Sequence, residues 1–399
     1  MPKRPKEAAP HTWEFPATFD GELGWQPKPA VAAVKAAVSE IKKVARKNPV
    51  LGAEGATMLI ERLSPALASV DSSSGAIGSA VDGAIEQLAA LIGATPADEP
   101  ARAGWLDRLA AARAADRVPY LEALGGHWGD LCGSTELAST WADRLLAPTR
   151  DALRIDGHFH GITMCLSALF RAGRFDELQA LVEGPKLWDH KRWAVRALVA
   201  AGRIDDAVAY AESCRSPHGP DPRVDALCEE ILLGAGRSEA AYRYAPRANH
   251  AGTYLGTFRN VTRKYPDRAP HAILADLVAT TPGDEGKWFA AAKDAELYDE
   301  AIALAGRSAV DTKTLVRAAR DHATTHPTFA VEAALSAVHW IAAGKIYEPT
   351  AEDVTEASQA ALAAAAHAGS VANTTERLRA LSAGSALRFV RDALDALTG

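Results

Sequence analysis

A short string recurs along this chain, and it restricts the fold more than any other feature. Leu169-Phe170-Arg171-Ala172-Gly173-Arg174-Phe175-Asp176-Glu177-Leu178 is echoed by Leu198-Val199-Ala200-Ala201-Gly202-Arg203-Ile204-Asp205-Asp206-Ala207. Leu232-Leu233-Gly234-Ala235-Gly236-Arg237-Ser238-Glu239-Ala240 carries the theme on. A weaker copy is Ala291-Ala292-Lys293-Asp294-Ala295-Glu296-Leu297-Tyr298-Asp299-Glu300-Ala301. Each string has the same physical sense. An apolar helix ends, and glycine takes the left-handed closing position where a Cβ would clash. An acidic residue then opens the next helix, where it complements the amino-terminal dipole. Alanines on both helices let the pair close tightly.

Gly173, Gly202 and Gly236 stand 29 and 34 residues apart, near the ~34-residue period of tetratricopeptide repeats. The spacing predicts an all-α chain, an α-solenoid of tetratricopeptide-like helical hairpins with an irregular amino-terminal helical portion. The expected divisions are a Pro- and aromatic-rich strap over 1–29, an amino-terminal helical region over 30–155, and the repeat region over 156–399. Val31, Val34, Val38, Ile41 and Val44 mark the first amphipathic helix, which ends near Asn48-Pro49. Further helices are expected at about 52–68, 77–92, 102–115, 118–126 and 134–154. In the second half they are expected at about 270–280, 284–295, 313–323, 328–343, 351–367 and 371–396, the last as a capping helix.

The formal charge of −6 and pI near 6.1 argue against a general nucleic-acid binder, which presents a basic surface. Lys3, Arg4 and Lys6 read as a solvated basic tail. Cys132, Cys165, Cys214 and Cys228 are scattered and form no CxxC pair, so neither a zinc ribbon nor a thioredoxin-type motif is expected. No apolar stretch approaches the ~20 residues of a membrane helix. The amino terminus lacks the apolar core of a secretory signal. A cytoplasmic protein without cofactor or membrane contact is the expectation.

Candidate sites are few. His322 and His326 stand four apart, but Ala323 occupies the place of the glutamate in HExxH. His158-Phe159-His160 reads as a helix entry. Gly283-Asp284-Glu285-Gly286-Lys287-Trp288 has a faint look of a phosphate loop, yet Thr281 replaces the first glycine and Trp288 the magnesium-binding hydroxyl residue. A turn and an acidic helix start explain it better, leaving Lys287 and Trp288 as binding candidates. Asp71, Ser72, Ser73 and Ser74, before Gly75-Ala76-Ile77-Gly78, place hydroxyls and backbone N–H groups at a helix start. They can hold a phosphate or carboxylate, or merely cap the helix. Trp188, His190, Lys191, Arg192 and Trp193 join aromatic and cationic groups, the chemistry of interface anchors and also of space-filling between hairpins. No nucleophile motif such as GxSxG is present.

Three strings are distinctive: Val70-Asp71-Ser72-Ser73-Ser74-Gly75-Ala76-Ile77-Gly78, His127-Trp128-Gly129-Asp130-Leu131-Cys132 and Lys264-Tyr265-Pro266. So is the run Thr281-Pro282-Gly283-Asp284-Glu285-Gly286-Lys287-Trp288-Phe289-Ala290-Ala291-Ala292-Lys293-Asp294. With these the chain resembles, over roughly 13 to 367, a family of uncharacterised bacterial helical-repeat proteins. It departs from that pattern over 342–348. The resemblance implies a helical fold and carries no activity. The functional expectation is therefore a non-catalytic scaffold or adaptor that binds a protein or peptide through anchors such as Arg192 and Trp193. The alternative is a small-molecule or nucleotide sensor, or an enzyme of unrecognised type, that uses the Asp71–Gly78 loop.

Overall fold

The structure, a computed structural model, describes residues 11–155, 157, 159–184, 187–216, 221–249 and 252–398. It is helical throughout, with no strand among the described residues. Two compact units divide the chain, Met1–Cys214 and Arg215–Gly399, so their boundary falls inside the stretch read as one repeat region.

The first unit holds α1 (Pro16–Phe19), α2 (Pro27–Ala45), α3 (Pro49–Ala66), α4 (Ala76–Ala94), α5 (Glu99–Ala115), α6 (Trp128–Cys132) and α7 (Thr135–Arg154). It continues with α8 (Ile162–Arg171), α9 (Phe175–Leu181), α10 (Trp188–Ala200) and α11 (Ile204–Ser213). Local chemistry sets the helix starts. Asn48 accepts from the Leu51 N–H with Pro49 opening α3, Asp98 accepts from Ala101 before α5, and Ser134 accepts from Leu137 before α7. Each cap meets a donor that has no partner inside its helix. The described part of the amino-terminal segment lies on α2 and α3. The Glu40 carboxylate accepts from the Glu14 and Phe15 N–H groups at 2.8 and 3.1 Å, while Phe15 and Phe19 are buried.

The second unit holds α12 (Pro222–Gly234), α13 (Ser238–Tyr242), α14 (Ala245–Ala248), α15 (Tyr254–Lys264), α16 (Pro270–Val278), α17 (Phe289–Asp294) and α18 (Tyr298–Ala305). It ends with α19 (Thr312–His322), α20 (Pro327–Ala342), α21 (Ala351–Ala368), α22 (Val371–Gly384) and α23 (Arg388–Thr398). From α15 on, most helices pack on the next and the next but one, as in α15 with α16 and α17, or α20 with α21 and α22. That pattern is the solenoid signature within the unit: each hairpin buries its apolar stripe against its neighbours.

The recurring string does the work expected of it. Gly173, Gly202 and Gly236 have φ of +72, +74 and +71°. The following N–H reaches back six residues inclusive, Arg174 to Leu169 O, Arg203 to Leu198 O and Arg237 to Leu232 O, at 2.8–3.0 Å. This is a Schellman closure. The weak copy closes identically, Leu297 N–H to Ala292 O at 2.9 Å, but with Glu296 at φ +59°. A side chain in that region costs about 1 kcal/mol. Glu296→Gly is therefore expected to stabilise the protein by about 1 kcal/mol, seen as a higher urea midpoint at unchanged slope. A lower midpoint would contradict it.

Several expectations need correction. Residues 118–126 are not an α-helix: a turn leads into a 3₁₀ segment, Glu122–His127. The Asp116 carboxylate holds the Leu121 N–H at 2.7 Å and the Ser64 hydroxyl at 2.6 Å, pinning the backbone in a non-helical path. The stretch 371–396 is two helices, broken where Ser385 donates its hydroxyl to Ala342 O and accepts from the Leu387 N–H. Residues 284–295 split into a 3₁₀ turn, Glu285–Trp288, and α17. Among the described residues one helix, α4, is long and apolar enough to cross a membrane by length and composition. Its Ile77, Val81, Ile85, Leu88 and Ile92 stripe is buried in the core of the first unit.

Candidate binding site

The second unit places two carboxylates in its interior. Asp225 and Glu229 stand four apart on α12, hence on one helix face, and are 0% and 2% exposed. Burying a charge is costly unless it is paired and hydrogen-bonded, so their partners define the local fold. Glu229 accepts from Asn249 Nδ2 at 3.0 and 3.1 Å, from the Tyr265 hydroxyl at 2.8 Å and from Lys264 Nζ at 2.8 Å. Asp225 accepts from Arg215 at 2.6 Å and from Arg247 at 3.3 and 3.4 Å. Burial, then the Glu229 carboxylate, pushes the Tyr265 phenol well above its ordinary value. It stays a protonated donor. Burial and Asp276, which accepts the Tyr242 hydroxyl at 2.7 Å, do the same to Tyr242. This network ties α12 to α14, α15 and the stretch after it.

Above it lie two hollows of about 240 and about 540 Å³ that share Pro246, Thr280 and Thr281. They form one trough in the second unit. At one end Trp288 and Tyr254 meet edge to face with centroids 4.9 Å apart, and the Trp288 Nε1–H donates to the Thr281 hydroxyl at 2.8 Å. Lys287 lies 5.8 Å from the Tyr254 ring centroid and 2.9 Å from Asp284, which holds its ammonium pKa up. The Gly286 backbone comes so near Ser308 O that a Cβ would stand 2.2 Å from it. That approach fixes the turn carrying Lys287 and Trp288. At the other end are Tyr242, Arg243, Arg247 and Asp276. Arg243 donates to the Tyr244 hydroxyl at 2.8 Å and lies over that ring.

The other residues singled out in the sequence lie elsewhere. Trp193 is 3% exposed, packed edge to face on Phe170 with centroids 5.8 Å apart. Its Nε1 is buried without a hydrogen-bond partner. It fills the core of the first unit. Trp188 is half-buried at the start of α10, and Arg192 turns back on Asp189, donating to its carbonyl at 3.3 Å. Asp71 accepts from the Ser73 N–H at 3.0 Å, which lowers its carboxyl pKa. Ser72 bonds the Tyr120 side chain, and the Ser74 hydroxyl accepts from Ala76 N–H at 3.4 Å. These residues turn the chain into α4. Of the sequence candidates, Lys287 and Trp288 alone stand at the trough. Tyr254, Arg243, Arg247 and Asp276 were missed. Charged and aromatic residues scattered over helices carry no local signature, and only the distinctive Thr281–Asp294 run pointed to this place.

His322 ends α19 and His326 is the residue before α20, so the pair is not on one helix. Their centroids are 5.6 Å apart, and both pack on Tyr298. His158 lies outside the described residues. No group of three or more His, Cys, Asp or Glu side chains is gathered among the described residues. Cys132 and Cys165 are buried, and burial pushes their thiols up to about 12 and about 11, which keeps them unreactive.

Desolvation, then Lys293 and His326, pushes His322 below its ordinary 6.5. Between 6.5 and that lower value the unfolded chain binds a proton that the folded chain refuses. Stability is thus full above pH 6.5 and is lost as pH falls below it. Chemical denaturation across this range should show the loss, and His322→Leu should flatten it. An unchanged slope in that variant would remove His322 from the account.

No family model matches the chain, and no curated protein matches it. Among solved structures, a circular tandem repeat protein with a novel repeat topology and enhanced subunit contact surfaces is similar at 11% identity. That match covers 92% of this chain and 80% of that one, with a TM-score of 0.16. A likeness that slight carries no argument about fold or function.

Proposed function

We propose that the protein is a non-catalytic scaffold or adaptor, and that the trough of the second unit binds an extended peptide segment of a partner protein. The observation that supports this most is the trough's make-up. An aromatic end at Tyr254 and Trp288 gives way through threonine hydroxyls at 280 and 281 to a guanidinium and carboxylate end. Apolar walls with a few placed polar groups are how a concave site gains affinity and orientation together. A chain lying along it finds an aromatic pocket for one side chain, hydroxyls for its backbone groups and charges for another side chain. The walls are held rigid by the Asp225 and Glu229 networks, which lowers the ordering cost of binding.

The test is selection of displayed random linear peptides on the full chain, followed by affinity measurement against Thr280→Trp. Thr280 is exposed on the trough and bonds only its own helix end, Leu277 O at 2.7 Å. The bulky, uncharged indole fills the trough while leaving the core intact. Selected peptides should bind the parent and lose at least about tenfold in affinity on the variant. Equal binding to both would move the site off the trough.

A further inference from the structure

The charges at the wide end of the trough do not balance. Two guanidiniums, Arg243 and Arg247, line it with one carboxylate, Asp276. Asp225, fully buried, already takes both Arg215 and Arg247. Asp276 accepts the Tyr242 hydroxyl. Arg243 is exposed and has the phenol and ring of Tyr244 as its partners, with no carboxylate among the described residues. The neighbouring pairs Arg268–Glu239 and Arg223–Asp221 are each internally neutral. One positive charge is left over, on a wall of the trough, held in place by aromatic packing and a buried acid. The first unit offers a second basic place, Lys35, Lys42, Lys43 and Arg46 beside Gln87, but nothing buried positions those lysines, and cations at a helix carboxyl end are explained by the dipole alone.

Resting on the peptide reading, we infer that the trough selects an acidic peptide, with an Asp or Glu side chain of the ligand against Arg243 and Arg247 and an apolar side chain seated at Tyr254 and Trp288. The magnitude of the surplus decides among anions. One carboxylate neutralises it. A phosphorylated residue brings about −1.5 to −2 charges and would overshoot while facing Asp276. A planar carboxylate also matches the guanidinium fork. The Tyr244 ring beneath Arg243 keeps that guanidinium extended, so less rotamer freedom is lost when the ligand arrives.

The peptides selected on the full chain carry the answer in their composition and in one charge reversal. Arg243→Glu changes an exposed residue and leaves both buried acids with their partners; its melting temperature serves as the folding control. The expected result is enrichment of Asp or Glu in the selected peptides, at least about tenfold weaker binding of those peptides to Arg243→Glu, and a switch to Lys- or Arg-bearing peptides when selection is repeated on that variant. Affinity should also fall with added salt. Peptides that bind the trough without acidic enrichment, and bind Arg243→Glu as well as the parent, overturn this inference and leave the peptide reading standing. Preference for phosphorylated over carboxylate peptides of matched sequence also overturns it. Failure to select any peptide that Thr280→Trp weakens overturns both readings.

Discussion

Glu229→Ala is expected to be among the most damaging single changes in the protein, costing about 3 kcal/mol or more. The substitution removes one buried carboxylate and strands three donors. Asn249 Nδ2 keeps only Ala245 O at 2.9 Å; the Tyr265 hydroxyl, on a residue 3% exposed, loses its acceptor. Lys264, whose side chain is 42% exposed, can turn to water and adds least. The asymmetry provides the check. Lys264→Ala leaves Glu229 with the Asn249 and Tyr265 bonds but without its charged partner, and should cost about 2 kcal/mol. Glu229→Gln should fall between, since an amide oxygen still accepts from Tyr265. Equilibrium urea unfolding of the three variants settles it. Equal, small losses from Glu229→Ala and Lys264→Ala would show that the network does not hold the unit together.

Arg102→Leu should lose about 3 kcal/mol or more in the first unit. Arg102 is 7% exposed, and its guanidinium donates to Ile92 O at 3.1 Å, to Leu131 O at 2.9 Å and to Thr95 O. Those carbonyls close the carboxyl ends of α4 and α6, where the regular helical donors run out and the Thr95 N–H reaches Ile92 O alone, at 3.2 Å. Burial lowers the Arg102 pKa, and the negative ends of two helices take the place of a carboxylate. Leucine fills the volume and takes this donor from all three carbonyls, leaving Ile92 O with the Thr95 N–H at 3.2 Å. Arg102→Lys keeps the charge but not the fork, so it should recover only part of the loss. A loss under about 1 kcal/mol for Arg102→Leu would mean that water reaches these carbonyls.

These two residues show why the site was less legible than the fold. Arg102 and Glu229 look ordinary in sequence, since a charge on a helix usually faces solvent. Glu229 meets its partners 20, 35 and 36 residues along the chain, beyond any local pattern. Trp193 shows the converse. Its neighbours Lys191 and Arg192 suggested a surface anchor, but its position on α10 turns it toward Phe170 in the core. Lys287 and Trp288 were visible as a loop that failed as a phosphate site. Their use at the trough depends on Tyr254 and Thr281, which only folding brings beside them.

The sequence by itself determined the helical hairpins. Apolar periodicity, a left-handed closing residue and an acidic helix start act within a few residues, so they are written in consecutive letters and survive any arrangement of the whole. Even Glu296, which stands where the other copies have glycine, closes its helix as they do. Only the tertiary structure decided which charges are buried, which carboxylate serves which guanidinium, and where a surplus charge is left facing a trough. Those outcomes depend on burial and pairing between distant helices, and the free energy of a charge is set by its surroundings in space, which no local stretch of sequence specifies.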